Sequence, residues 1–258
     1  SAMRQLSAIH LLLVLVLLGS GCAVVAPLVP MELVESRSIS ANSPLANYVV
    51  TVHVLLQVHE HPDEQKLALQ DANQVAACQQ NIVATALRLA GGGARAIVAE
   101  GLYAVGTLDK PEPVQAAQVP APNATRAKWI LASRSDLAVY GFEVSPFNEF
   151  GVAVVTQLGT SAAKARELAK DGFDNLSLES KDEYARLVQD DVVRLNLWYA
   201  GVMPERSFLA LQTALSVALA RRENQIQLII GKAHWSDLVY AVDRHADVRL
   251  RLVPYPCE

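Results

Sequence analysis

The sequence predicts an α/β protein, a mostly parallel β-sheet flanked by helices and carrying a helical insertion. Two observations carry this. Short β-branched, apolar runs of the buried-strand kind alternate with longer stretches whose apolar residues recur at spacings of three and four. Early in the chain, a strand, a helix and a second strand follow one another with a glycine-rich return, a βαβ unit whose two strands run parallel.

The elements read in order as follows. Tyr48 to His59 (YVVTVHVLLQVH) is β-branched and apolar and forms the first buried strand. Residues 64–90 form a long helix, with Val75, Cys78, Ile82, Ala86 and Leu89 on one face. Gly91 to Gly93 stop that helix, and Ala94 to Gly101 form the second strand. Residues 109–125, with Pro111, Pro113, Pro120 and Pro122, read as an exposed loop or insertion. Asp136 to Glu143 is the third strand. A helical pattern holds from about 161 to 223 and is clearest where Phe208, Leu211, Leu215, Ala218 and Leu219 share one side. Ile226 to His234 carries the fourth strand, Ser236 is placed to cap a short helix, and Val248 to Tyr255 is the last strand. The expectation is a single domain over 47–258 with a helical insertion at about 146–223.

Composition narrows the function. With 258 residues, 52% of them hydrophobic, the chain can bury a sizeable core and is not a disordered one. A net charge of -4 and a pI near 5.9 provide no electrostatic footprint for nucleic acid, so no nucleic-acid partner is expected.

Ser1 and Ala2 precede Met3 and read as a cloning scar. Arg4 and the apolar run Leu11 to Leu18 then form a secretory signal over residues 1–21, too short to span a bilayer as a helix. Small residues lead to Cys22, and a cysteine at that place resembles a bacterial lipobox, although Gly19 stands where leucine is usual and Leu18 is one residue further back. The expectation is a thiol-lipidated Cys22, a tether over 22–46, and anchorage in the cell envelope on the periplasmic face of the outer membrane. The remaining cysteines, Cys78 and Cys257, are either a disulfide suited to an oxidising compartment or a buried thiol and a free one.

Four strands end in, or within three residues of, an ionisable group: His59, Glu100, Glu143 and His234. Parallel strands bring their carboxyl ends to one edge, where open α/β sheets bind ligands. Two imidazoles and two carboxylates there suit a divalent metal or acid–base chemistry. His53, mid-strand, and His245, at a helix end, read as structural.

Five short segments, in order, resemble the superfamily of Tiki metalloproteases, TraB/GumN proteins, erythromycin-esterase-like hydrolases and ChaN haem-binding lipoproteins. LQVHEHPDEQKLALQ (from Leu56) resembles the first ChaN-like motif, and AIVAEG its strand ending in glutamate. VYGFE, ERSFLALQTAL and GKAHW are similar to the Tyr-Gly-x-Glu, Glu-Arg-Asp/Asn and Gly-x-x-His segments.

The resemblance implies a site of His59, Glu100, Arg206 and His234 with Glu143 beside them, acting on a small-molecule or peptide ligand. In a hydrolase, a divalent metal (Mn, Co or Zn) on His59, His234 and a carboxylate such as Glu100 would acidify water. Glu100 or Glu143 would take the proton, and Arg206 would hold a carboxylate or a developing oxyanion. In a non-catalytic binder, the pocket would take haem, metal or another small ligand, with Tyr103 and Tyr140 as haem ligands. The sequence departs from the first motif: Leu56 replaces its glycine, Gln57 its glutamate, His61 its asparagine, and Glu64 and Gln65 its paired histidines. An amide at Gln57 cannot act as a base, though it can orient a ligand.

Overall fold

The computed structural model describes residues 25–36, 42–45, 47–58, 72–115, 126–145, 147–245 and 247–257. Its elements are β1 (Val34–Glu35), β2 (Val49–Gln57), α1 (Ala72–Gly91), β3 (Ala96–Tyr103), β4 (Val105–Thr107), β5 (Lys110–Glu112), α2 (Ala127–Ala132), β6 (Ala138–Glu143), α3 (Phe147–Leu168), α4 (Leu178–Asn196), α5 (Met203–Arg221), β7 (Gln225–Gly231), α6 (Trp235–Ala241) and β8 (Arg249–Pro256).

Six strands form one sheet in the order β1-β8-β2-β7-β3-β6, and β4 and β5 make a separate two-stranded ribbon within the proline-rich segment. All contacts in the large sheet are parallel except that of β1 with β8. The α/β architecture is therefore the one the sequence predicts. The strands of the βαβ unit, β2 and β3, run parallel as expected, with β7 lying between them and bonded to both. The run Ile226 to Ile230, apolar but for a Gln227 that is buried and donates to Ala86 O and Ala94 O, suits β7 to that central place, because a strand covered on both faces buries every side chain.

Alternation along the strands divides the core into two layers. Val52, Val54, Leu56, Val98, Leu228 and Ile230 face α5, where Ala210, Leu211, Ala214 and Val217 meet them. Leu55, Ile97, Ala99 and Ile229 face α1 and α2, against Cys78, Ile82, Ala86, Ala127 and Leu131. The long insertion is a helical hairpin of α3 and α4, joined to α5 through a π-helical turn at Leu197–Val202 and cross-linked by a Lys164–Glu183 ion pair.

Two further expectations change, and one left open is decided. Residues 25–36, read as part of a tether, lie on the domain. Leu28 N donates to Thr85 Oγ1 at 2.6 Å, Arg88 Nη2 donates to Leu28 O at 2.9 Å, and β1 pairs with β8. Ser236 does not cap α6, which begins at Trp235 with no side-chain cap. Cys78 and Cys257 form a disulfide, with Cα atoms 5.5 Å apart, tying α1 to the chain just past β8. Among the described residues no helix is long and apolar enough to cross a membrane. The signal segment and Cys22 lie outside the described residues.

Candidate functional site

The carboxyl ends of β3, β6 and β7 meet the start of α5, and this is where Glu100, Glu143, His234 and Arg206 come together. The β3–β7 ladder ends at Ala99↔Ile229, and the β3–β6 register shifts between Ala99 and Tyr103. Two glycines make this departure possible. At Gly141 an added Cβ would lie 2.2 Å from Tyr103 O and 2.4 Å from Leu102 O, so only glycine admits the displaced strand. Gly101 adopts φ +72°, a conformation that L side chains rarely take.

Once β3 has left β7, the Glu100 carboxylate replaces the lost backbone partner, accepting from Gly231 N at 2.6 Å. Glu143 accepts from Gly101 N at 3.2 Å in the same way across the shifted register. Both carboxylates are buried, with the residues 6% and 3% exposed. A buried carboxylate is costly without a paired cation. Arg206 supplies it from the first turn of α5: Nε and Nη2 reach the two oxygens of Glu143 at 3.3 and 2.5 Å, and Nη2 also donates to Glu100 Oε1 at 3.0 Å. Burial alone would lower the guanidinium pKa, but the bonds and charges of Glu143 and Glu100 outweigh it and raise the pKa above the ordinary value.

His234 follows β7 in a short 3-10 turn and is 2% exposed. Its Nε2 faces Glu100 Oε1 at 3.3 Å, and its Nδ1 lies 2.8 Å from Ser207 Oγ. Ser207 Oγ is also 2.8 Å from Met203 O and has one proton to donate. A hydroxyl proton aimed at the imidazole leaves Nε2 as the ring's donor towards Glu100, and one aimed at Met203 O leaves Nδ1 as the donor to Ser207.

Around this centre, the other expected site residues fall out differently. Gln57 ends β2 at the same edge, opposite Gly231, but on the α1 side of the sheet. There its Oε1 accepts from Gln79 Nε2 at 3.2 Å. That amide also donates to Val58 O and accepts from Ala127 N, so Gln57 belongs to a bracket joining β2, α1 and α2 and is turned away from Glu100. Tyr140 is 4% exposed in mid-strand, its hydroxyl 3.5 Å from Arg221 Nη1 at the far end of α5, and is thus removed from the site. Tyr103 stands at the edge, paired in register with Glu143 and 51% exposed. His59 and His61 lie outside the described residues. His53 bonds Tyr255 Oη and Gln225 Oε1, each at 3.2 Å, and His245 stacks on Phe208 with ring centres 5.1 Å apart. Burial lowers the pKa of both imidazoles.

Two residues missing from the sequence reading belong here. Ser207 orients His234 and follows Arg206 directly in the helix motif. Lys128, near the start of α2, donates through Nζ to Glu100 O at 3.1 Å and Gly101 O at 3.0 Å. Burial, then Arg126, push its pKa down to about 8 against the opposing pull of Glu100 and Glu143.

The fit to a divalent metal is poor. Among the described residues no group of three or more His, Cys, Asp or Glu side chains is placed to hold one. Arg206 already bridges Glu100 and Glu143, and His234 has both ring nitrogens engaged. The polar group left over is Arg206 Nη1, which has no hydrogen bond among the described residues while the side chain retains 11% exposure. No family model, no curated protein and no solved structure matches the chain.

Proposed function

We propose that this chain is a cell-envelope lipoprotein, anchored through Cys22, of the Tiki/ChaN-like superfamily, and that its site captures a small ligand by an oxyanion group. The observation that supports this reading is the state of the site's polar groups. Glu100 and Glu143 are engaged with backbone N–H groups and with Arg206, and His234 with Glu100 and Ser207, so the buried carboxylates already have a cation of their own. Arg206 is fixed by two carboxylates and keeps Nη1 for a further acceptor. A guanidinium edge held that way is preorganised to bind a carboxylate or phosphate. Carboxylate-bearing haem stays within this class, with Tyr103 at the same edge and Tyr140 excluded by its burial.

Ester or peptide hydrolysis is the second reading. It draws on Lys128, whose pKa of about 8 leaves a fraction of neutral amine able to take a proton beside the site.

An assay of chelator-treated protein separates the two. Expected are no turnover of p-nitrophenyl esters above the buffer rate, with or without manganese or zinc, and a rise in Tm with succinate or haem, since a ligand that binds only the native state stabilises it. Ester turnover above the buffer rate, whether metal-dependent or not, would overturn the binding reading.

A further inference from the structure

We propose that Lys128 is the second cation of the ligand site and that, with Arg206, it clamps one oxyanion group, a carboxylate or phosphate, of a small ligand. This rests on the anion-capture reading above and identifies the residue that completes it.

The two cations reach the same dipeptide from opposite layers of the fold. Arg206, on α5, binds the Glu100 side chain, and Lys128, on α2, binds the Glu100 and Gly101 carbonyls. The shape of the edge is built around the ammonium. Lys128 Nζ stands 2.2 Å from where a Cβ on Gly101 would lie, so the glycine leaves room for the lysine that reaches over it. Two of the three ammonium protons go to these carbonyls, and the third has no hydrogen bond among the described residues. Lys128 is half-buried while Glu100 and Glu143 are buried beneath it. Of these four charged groups Lys128 is the most exposed, while Arg206 is buried with the two carboxylates. The ammonium also lies 5.4 Å from the centre of the Trp129 ring, and an anion bound here would replace that weaker contact with charge-assisted bonds to Lys128 and Arg206 Nη1.

The test uses pyridoxal phosphate as a probe that carries both an anion and an aldehyde. The Lys128 nitrogen adds to the aldehyde carbon, water leaves as the imine forms, and added borohydride reduces the imine to a stable secondary amine. With the probe's phosphate held at Arg206 its aldehyde reaches Lys128, so peptide mapping is expected to place the label mainly on Lys128, at least about tenfold faster than with phosphate-free pyridoxal. Succinate and inorganic phosphate are expected to suppress it, and their relative potency tells a carboxylate ligand from a phosphate one. In parallel, Lys128→Met is expected to weaken binding of the better of these two anions by about tenfold or more, and Lys128→Arg to retain most of it. Gly101→Ala, which displaces the ammonium without removing it, gives a second variant and is expected to act like Lys128→Met. If wild type and Lys128→Met bind the anion equally, the role of Lys128 is refuted and anion capture by Arg206 stands. If neither binds it and the label spreads over surface lysines without protection, the anion-capture reading itself fails.

Discussion

Arg206 Nη2 lies 3.0 Å from Glu100 Oε1, joining the first turn of α5 to the end of β3 across 106 residues of sequence. The bond holds the helical insertion to the sheet, and Arg206 Nη1 has no hydrogen bond among the described residues. It also places two carboxylates and a cation out of water. Such an arrangement stabilises little by itself but is expensive to break, because removing one partner strands the other charges.

Arg206→Met is therefore expected to destabilise the protein by about 3–5 kcal/mol in denaturant melts. The triple variant Arg206→Met, Glu100→Gln, Glu143→Gln, which leaves no stranded charge, should recover part of that loss. Equal stability of the single variant and wild type would mean that the network is not buried as described.

Gln57 is bonded to Gln79 on the α1 side of the sheet, so Gln57→Glu introduces a charge remote from Glu100 and Arg206. The expected outcome is a loss of about 1–3 kcal/mol, the cost of a poorly matched buried polar group, with manganese and zinc affinity unchanged. Calorimetric metal titration of both proteins, together with their melting temperatures, checks this. Tighter metal binding by the variant would return Gln57 to the site.

Burial lowers the pKa of His53 and His245 below 6.5 in the folded state. The unfolded chain then binds more protons than the native one once pH falls below that ordinary value. Their contribution to stability is fully present above pH 6.5 and is lost as pH falls towards the native pKa values. Denaturant midpoints measured at stepped pH should decline on acidification through this window. The decline should be shallower in His53→Gln, and an identical slope would exclude His53 as a source.

The Cys78–Cys257 bridge closes a loop across 179 residues. Cys257→Ser is expected to cost about 2–5 kcal/mol in non-reducing denaturation, and reductant should bring wild type down to the same midpoint. A midpoint insensitive to reductant would contradict the pairing.

How far the sequence foretold this follows from which forces act locally. Glu100, Glu143 and His234 were legible because each closes an apolar run, and strand ends in a parallel sheet share an edge. Arg206 was visible only through the resemblance, since an arginine on a helix usually faces water. Lys128 was hidden: α2 has six residues, too few to show a period, and the lysine acquires its role only when Gly101 folds beneath it. The orientation of Gln57 was equally hidden, because a strand end shows which side chains alternate but not which layer each will face. The place of β7 between β2 and β3, and the docking of residues 25–36 on α1 and β8, depend on contacts between distant segments that no local pattern records.

The account rests on an anion site that needs no metal, and calorimetric titration of succinate into tag-free, chelator-treated protein at neutral pH tests it most directly. The prediction is saturable, one-to-one heat with a Kd in the range of about 0.04–6 mM, as two charge-assisted contacts of roughly 1.5–3 kcal/mol each imply. It should be unchanged by excess chelator and greatly weakened in Arg206→Lys, which lacks the second donor edge. Heat that appears only after zinc or manganese is restored, or none under either condition, would contradict it.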